Sequence, residues 1–124
     1  MQNLIHKIKN SISLSAQAEE YIYSISTEKT VSKGEILIRE GQTVNKTFFV
    51  TQGSLRSFCV DKEGKEHTLQ FAIRDWWISD FIAIYGNKPA SLTVECISDS
   101  SVIEFNAQKL NEIYLQFPEF EPFQ

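Results

Sequence analysis

His6, His67, Cys59 and Cys96 are the only histidines and cysteines in the chain, and so its strongest candidates for metal or thiolate chemistry. A zinc site, or a metal centre of the cupin type, needs several such side chains converging on one ion. No His-x-His pair and no Cys-x-x-Cys pair is present. His6 falls in a leading run of helical spacing and His67 in a strand, so each reads as an exposed or hydrogen-bonded histidine. An iron–sulfur cluster asks for about four cysteines. Cys59 and Cys96 each sit in an apolar-rich run and read as buried thiols. There is no nucleophile–base–orienter set and no Gly-rich loop followed by Lys-Ser/Thr. No catalytic residue and no metal site is therefore expected. Asp61, Glu63 and Glu66 cluster around a turn, where a solvated charge run is the ordinary outcome.

Three further features could contact a ligand. Asp80 precedes Phe81-Ile82-Ala83-Ile84. It suits a helix N-cap, where the carboxylate accepts an early backbone N–H, and it suits the mouth of a pocket. Trp76 and Trp77 are adjacent, so in a strand they point to opposite faces, one to the core and one to the surface. Arg56 lies on a strand opposite Leu55, Ser57 and Cys59. It either reaches a pocket as an anion anchor or lies in solvent.

The frame that must hold these residues is a single domain. The chain has 124 residues, 42% of them hydrophobic and 23% charged. That supply of apolar residues excludes a disordered chain, and the length leaves room for one core, spanning 1–124. No window approaches the ~18 apolar residues of a membrane-spanning helix. The start lacks a basic segment followed by a long apolar run, and two cysteines make no disulfide framework. A reducing, cytoplasmic location is expected. Residues 1–62 carry eight Lys/Arg against six Asp/Glu, and residues 63–124 carry four against ten. Such a chain has no basic face for phosphate neutralisation, so these residues alone are not expected to bind DNA.

Residues 1–26 read as helical. Leu4, Ile5, Ile8 and Ile12 recur at helical spacing, and Leu14, Ala18, Tyr21, Ile22 and Ile25 line one face behind a cap at Ser13 or Ser15. From Thr27 to 106 the period changes to short strands punctuated by Gly34, Gly41, Gly53 and Gly64, the pattern of an antiparallel sandwich or barrel. Asp61-Lys62-Glu63-Gly64-Lys65 is a hairpin turn. Leu69, Phe71 and Ile73 alternate with Thr68, Gln70 and Ala72, as in a half-buried strand. Ser91–Ile97 and Val102–Phe105 suggest a second strand pair, with one or two helical turns at 80–86. Residues 107–124 return to helical spacing through Leu110, Ile113 and Tyr114 or Phe117. Pro118 is expected to stop that helix, and Phe120 and Phe123 form an uncapped tail.

The order of motifs is specific. Lys33-Gly34-Glu35-Ile36-Leu37 is followed by Arg39-Glu40-Gly41-Gln42, Phe48-Phe49-Val50-Thr51-Gln52-Gly53 and Asp61-Lys62-Glu63-Gly64-Lys65-Glu66. From about Leu14 to Pro118 this resembles the cyclic-nucleotide-binding domain of Crp/Fnr-family transcription regulators. The resemblance implies a mainly β fold with flanking helices: a double-stranded β-helix, or jelly-roll, barrel. It also implies a pocket closed by a phosphate-binding cassette, matched without gaps by residues 79–93. The cassette positions expected to face a ligand are Ser79, Asp80, Phe81, Ile82, Ala90, Ser91, Leu92 and Thr93.

The cassette departs from the family pattern where the phosphate chemistry lies. Ala90 stands at the family's arginine, Ser79 at its glycine and Asp80 at its glutamate. Losing a charge-assisted contact costs about 1.5–3 kcal/mol, one to two decades of affinity. Lys88 offers a point charge, but Pro89 restricts its aim. Weak or no cyclic AMP binding is expected, and the effector is a cyclic nucleotide or another small molecule. The reading is therefore an effector-sensing domain and not an enzyme. DNA would be reached only through a helix-turn-helix in a longer parent protein, homodimeric in its full-length form. The alternatives are a stand-alone ligand-binding or protein-interaction module and, less well supported, a cupin-like enzyme.

Overall fold

The computed structural model describes Ile5 and residues 15–116, with the side chains of 114–116 left aside. Apart from Ile5, the leading helical run lies outside the described residues, as do His6, Leu14, Pro118 and the tail phenylalanines.

Helix α1, Ala16–Ser24, begins where Ser15 Oγ accepts the N–H of Ala18. This satisfies one of the donors that a first turn leaves unpaired. Ala18 and Ile22 lie on its buried side and Ile25 closes it.

Eight strands follow: β1 Ser26–Val31, β2 Ile36–Ile38, β3 Lys46–Gln52, β4 Leu55–Val60, β5 Glu66–Ala72, β6 Trp77–Ile78, β7 Thr93–Cys96 and β8 Ser100–Asn106. Between β6 and β7 lies helix α2, Phe81–Gly86, and after β8 comes helix α3, Ala107–Gln116. The strands form two four-stranded sheets in the orders β1-β8-β3-β6 and β2-β7-β4-β5, with every pairing antiparallel. The sheets face one another as a jelly roll. Their inner faces share one core, with Phe48, Val50 and Val102 from the first sheet and Ile38, Leu55 and Val94 from the second. A second apolar layer sits on the outer face of the first sheet. There Phe49, Ile103 and Phe105 meet Ala18 and Ile22 of α1 and Ile113 of α3.

Two sequence expectations change. Leu69, Phe71 and Ile73 are 59%, 61% and 53% exposed, while Ala72 is fully buried and Gln70 half-buried. The period of two is present, but the large side chains take the outer face. Register decides this: Ala72 pairs with the buried Leu55 and Phe71 with the outward Arg56. Gln70 uses the inner side to donate its amide to the Trp77 carbonyl at 3.1 Å. The second correction concerns β7 and β8, which are strands but not partners. β7 joins β2 and β4, whereas β8 joins β1 and β3, so residues 97–99 cross between sheets.

Two glycine turns set these registers. At the β4–β5 hairpin, Gly64 adopts φ +82°, and Asp61 Oδ1 accepts the N–H groups of Glu63 and Lys65 at 2.9 Å each. Between β3 and β4, Gly53 adopts φ +92°, and a Cβ there would lie 2.7 Å from Ser100 Cβ and 2.8 Å from the Asp99 carbonyl. Only a residue without Cβ fits that approach.

Candidate functional site

The cassette expected at 79–93 starts as the chain leaves β6. Ser79 is buried, and its hydroxyl donates to the Lys46 carbonyl at 2.6 Å. Asp80, only 2% exposed, caps α2, with Oδ1 accepting the N–H of Ala83 at 3.0 Å. Its other oxygen, Oδ2, accepts the N–H of Ser91 at 2.8 Å and the Ser91 hydroxyl at 3.2 Å. The two ends of the cassette are thus joined through one carboxylate.

Helix α2 ends at Asn87, in the left-handed region at φ +52°, which asparagine tolerates better than most residues. Phe81 is 40% and Ile82 77% exposed on the helix surface. Ala83 points inward, and Ile84 packs against the core. After the helix the chain docks on the Glu40-Gly41-Gln42 loop. Ala90 N–H donates to the Gln42 carbonyl at 2.7 Å, and Gly41 N–H donates to the Ala90 carbonyl at 2.8 Å. Leu92 packs against the inner core, and Thr93 Oγ1 accepts the Glu40 N–H at 3.2 Å. The Arg39–Gln42 motif and the cassette, distant in sequence, are therefore one backbone unit.

The structure brings Ser79, Asp80, Ala90 and Ser91 to this unit and turns Phe81 and Ile82 outward. Ala90, expected from the resemblance to stand at the family's arginine, is itself buried. Lys88 is exposed. Among the described residues no cation forms an ion pair with Asp80. A cavity of about 70 Å³ lies between α2 and α3, lined by Thr47, Phe81, Ile84, Tyr85, Leu110 and Asn111 among others.

Arg56 is not in the cassette. It lies on the outer face of the second sheet, where Nη2 meets Glu66 and Nε meets Glu95, both at 2.9 Å. Its guanidinium also covers the Phe58 ring at 4.1 Å. The hydrogen bond to Glu66 leads in raising its pKa, with Glu95 adding to it. A guanidinium neutralised by two carboxylates is not an anion anchor, which corrects one of the two readings of this residue. Sequence reasoning missed both carboxylates, because strand register alone brings them together.

The other candidates resolve simply. Trp77 packs edge-on against Phe49 at 5.0 Å, while Trp76 is 51% exposed. His67 Nε2 lies 2.8 Å from Asp61 Oδ2, and this contact, with backbone donors, lowers the Asp61 pKa. Burial pushes the Cys96 thiol up to about 11, so it stays protonated. Among the described residues no group of three or more His, Cys, Asp or Glu could hold a metal, and no helix is long and apolar enough to cross a membrane.

Comparison with known proteins agrees with this fold. The chain is 28% identical over 93 residues to the transcriptional activator protein FnrA of Stutzerimonas stutzeri, covering 73% of this chain and 36% of that protein. It thus spans about a third of the length of the curated relatives it matches. The sensor domain of the transcriptional regulator DNR from Pseudomonas aeruginosa superposes with a TM-score of 0.79 at 15% identity, covering 98% of this chain and 83% of that one. A regulatory subunit of a cAMP-independent protein kinase A from Trypanosoma brucei superposes with a TM-score of 0.73 at 12% identity, covering 94% and 41%. The profile of the cyclic nucleotide-binding domain family matches residues 28–117. With most of its length inside that profile and Crp/Fnr transcription regulators among its relatives, the chain belongs to the cyclic nucleotide-binding domain family.

Proposed function

We propose that this chain is the effector-sensing domain of a Crp/Fnr-like transcription regulator, with a phosphate cassette that no longer takes cyclic AMP. One observation carries the second half of the reading. The cassette holds a buried methyl at Ala90, which the resemblance sets at the family's arginine, and no described cation pairs with its carboxylate at Asp80. A cyclic phosphate calls for a guanidinium or similar charge-assisted donor. The 28% identity to an activator protein supports the regulatory half. The fold serves both outcomes, since a cAMP-bound regulatory subunit and a cAMP-independent one both share it.

In this reading a small effector other than cyclic AMP biases two arrangements of the domain, and the longer parent protein, a homodimer, transmits that bias to DNA. The domain supplies binding energy and no covalent chemistry. Gel-shift measurement with the full-length gene product on its own promoter fragments tests both halves. DNA binding that is unchanged by cyclic AMP is expected. A cyclic-AMP-dependent shift contradicts the cassette reading, and absence of any DNA binding contradicts the regulatory one.

A further inference from the structure

We propose that the cavity between α2 and α3 is a binding site for a small neutral molecule with one polar atom, of the size of a short-chain alcohol, anchored by the Thr47 hydroxyl. Along β3, Phe48 and Val50 face the inner core, while Phe49 packs in the outer layer with α1 and α3. Alternation puts Thr47 on the Phe49 side, where it is 2% exposed and lines the cavity. Its Oγ1 is closed to solvent and has no hydrogen-bond partner, the one buried side-chain oxygen or nitrogen left so among the described residues. Nearby hydroxyls do find acceptors: Thr51 donates to the Ser101 carbonyl at 3.0 Å and Ser79 to the Lys46 carbonyl at 2.6 Å. A valine of the same shape would fill the Thr47 position without leaving a polar atom unpaired. The hydroxyl is therefore a cost to the empty domain, and a guest with a polar atom offsets it.

The cavity sets the class of that guest. Its volume is about 70 Å³, room for about two waters or for one molecule of about three or four non-hydrogen atoms. Ile84 and Leu110, both half-buried, supply apolar walls from α2 and α3, and Phe81, Tyr85 and Asn111 stand at the exposed rim. None of the described lining residues is charged, so an ion entering here would lose its hydration without compensation. A resident water asks for about two to four polar partners, whereas Thr47 is the one buried polar side chain in this lining. A guest with an apolar body and a single hydroxyl or carbonyl oxygen meets both the walls and the hydroxyl. The described lining leaves out Ser79, Ala90 and Ser91, so the site is separate from the cassette positions. As the seat of an effector it rests on the sensing role proposed above; as a binding site it stands without that role.

Titration of the ¹⁵N-labelled chain with isopropanol tests this, with amide shifts read along α2 and α3. Saturable shifts at the amides of Ile84, Leu110 and Asn111 are expected, with the millimolar dissociation constant that so small a ligand allows. Thr47→Val keeps the shape and removes the hydroxyl. It is expected to bind isopropanol about three- to tenfold more weakly. Xenon offers no hydrogen bond and enters apolar cavities, so T47V is expected to bind it at least as tightly as the unsubstituted protein does. Without ligand, T47V is expected to melt no lower than the unsubstituted protein, because no hydrogen bond is lost. A T47V protein that melts well below it, or fails to fold, shows that the hydroxyl is already satisfied and overturns the proposal. Equal alcohol affinity in the two proteins, xenon favouring the unsubstituted one, no saturable shift, or shifts centred on the exposed Leu69, Phe71 and Trp76 overturns it as well. None of these measurements involves DNA or cyclic AMP, so failure of this site and failure of the proposed function are told apart.

Discussion

Asp80 and Ser91, eleven residues apart, are joined by two hydrogen bonds onto one carboxylate oxygen. The pair ties the start of the cassette to its end. Asp80→Ala removes the cap of α2, worth about 1 kcal/mol. It also leaves the Ser91 N–H without its acceptor, at about 1–3 kcal/mol. A loss of about 2–4 kcal/mol is therefore expected in urea unfolding. Ser91→Ala removes only the longer hydroxyl bond and is expected to cost about 0.5–1.5 kcal/mol. Equal losses in the two variants would show that the carboxylate does not bridge the cassette.

Gly53 and Gly34 both adopt positive φ, at +92° and +85°, but only Gly53 has neighbours where a Cβ would go. Gly34→Ala meets the backbone penalty alone, about 1 kcal/mol. Gly53→Ala must also displace Ser100 and the Asp99 carbonyl, and is expected to cost at least about 3 kcal/mol. Thermal melts of the two variants measure the difference. A G53A protein as stable as G34A would contradict the β3–β4 turn geometry.

On the outer face of the second sheet, the Arg56 side chain is 21% exposed and bridges Glu66 and Glu95. Arg56→Met keeps apolar cover on Phe58 but leaves both carboxylates to solvent, and an expected loss of about 0.5–1 kcal/mol follows. A double-mutant cycle with Glu95→Gln should return a coupling of about 0.5–1 kcal/mol. That coupling should shrink in high salt, as screening requires. A coupling of zero would contradict the pairing.

The Asp61 carboxyl is held below the ordinary aspartate range, led by the hydrogen bond from His67 and helped by the N–H of Lys65. A depressed carboxylate contributes stability above its unfolded pKa and loses it as pH falls through the folded one. Parent protein is therefore expected to lose more stability than Asp61→Asn between pH ~5 and ~3. Thermal melts across that window check the sign. An identical acid dependence in the two proteins would contradict it.

Much of the fold was legible because local chemistry fixed it. Ser15 caps α1 and Asp80 caps α2, as their side chains suit them to do. Gly64 closes the hairpin, and Trp76 and Trp77 divide between surface and core as alternation requires. What was not legible depends on pairing between distant strands. Alternation at Leu69, Phe71 and Ile73 gave the period of β5 but not its inner face, which the pairing of Leu55 with Ala72 sets. The carboxylates around Arg56 lie 10 and 39 residues away and meet it only through register. The cassette position, 79–93, came from the family resemblance and not from residue types or spacing alone. Its internal bond was not legible, because nothing in the types of Asp80 and Ser91 says that they face one another.

The central claim is that this fold keeps the cassette of a cyclic-nucleotide domain without its phosphate chemistry. Isothermal titration of the purified chain with cyclic AMP tests it most directly. The account predicts no saturable heat at micromolar nucleotide, since the missing charge-assisted contact alone removes about one to two decades of affinity. Stoichiometric binding with a micromolar dissociation constant would contradict it.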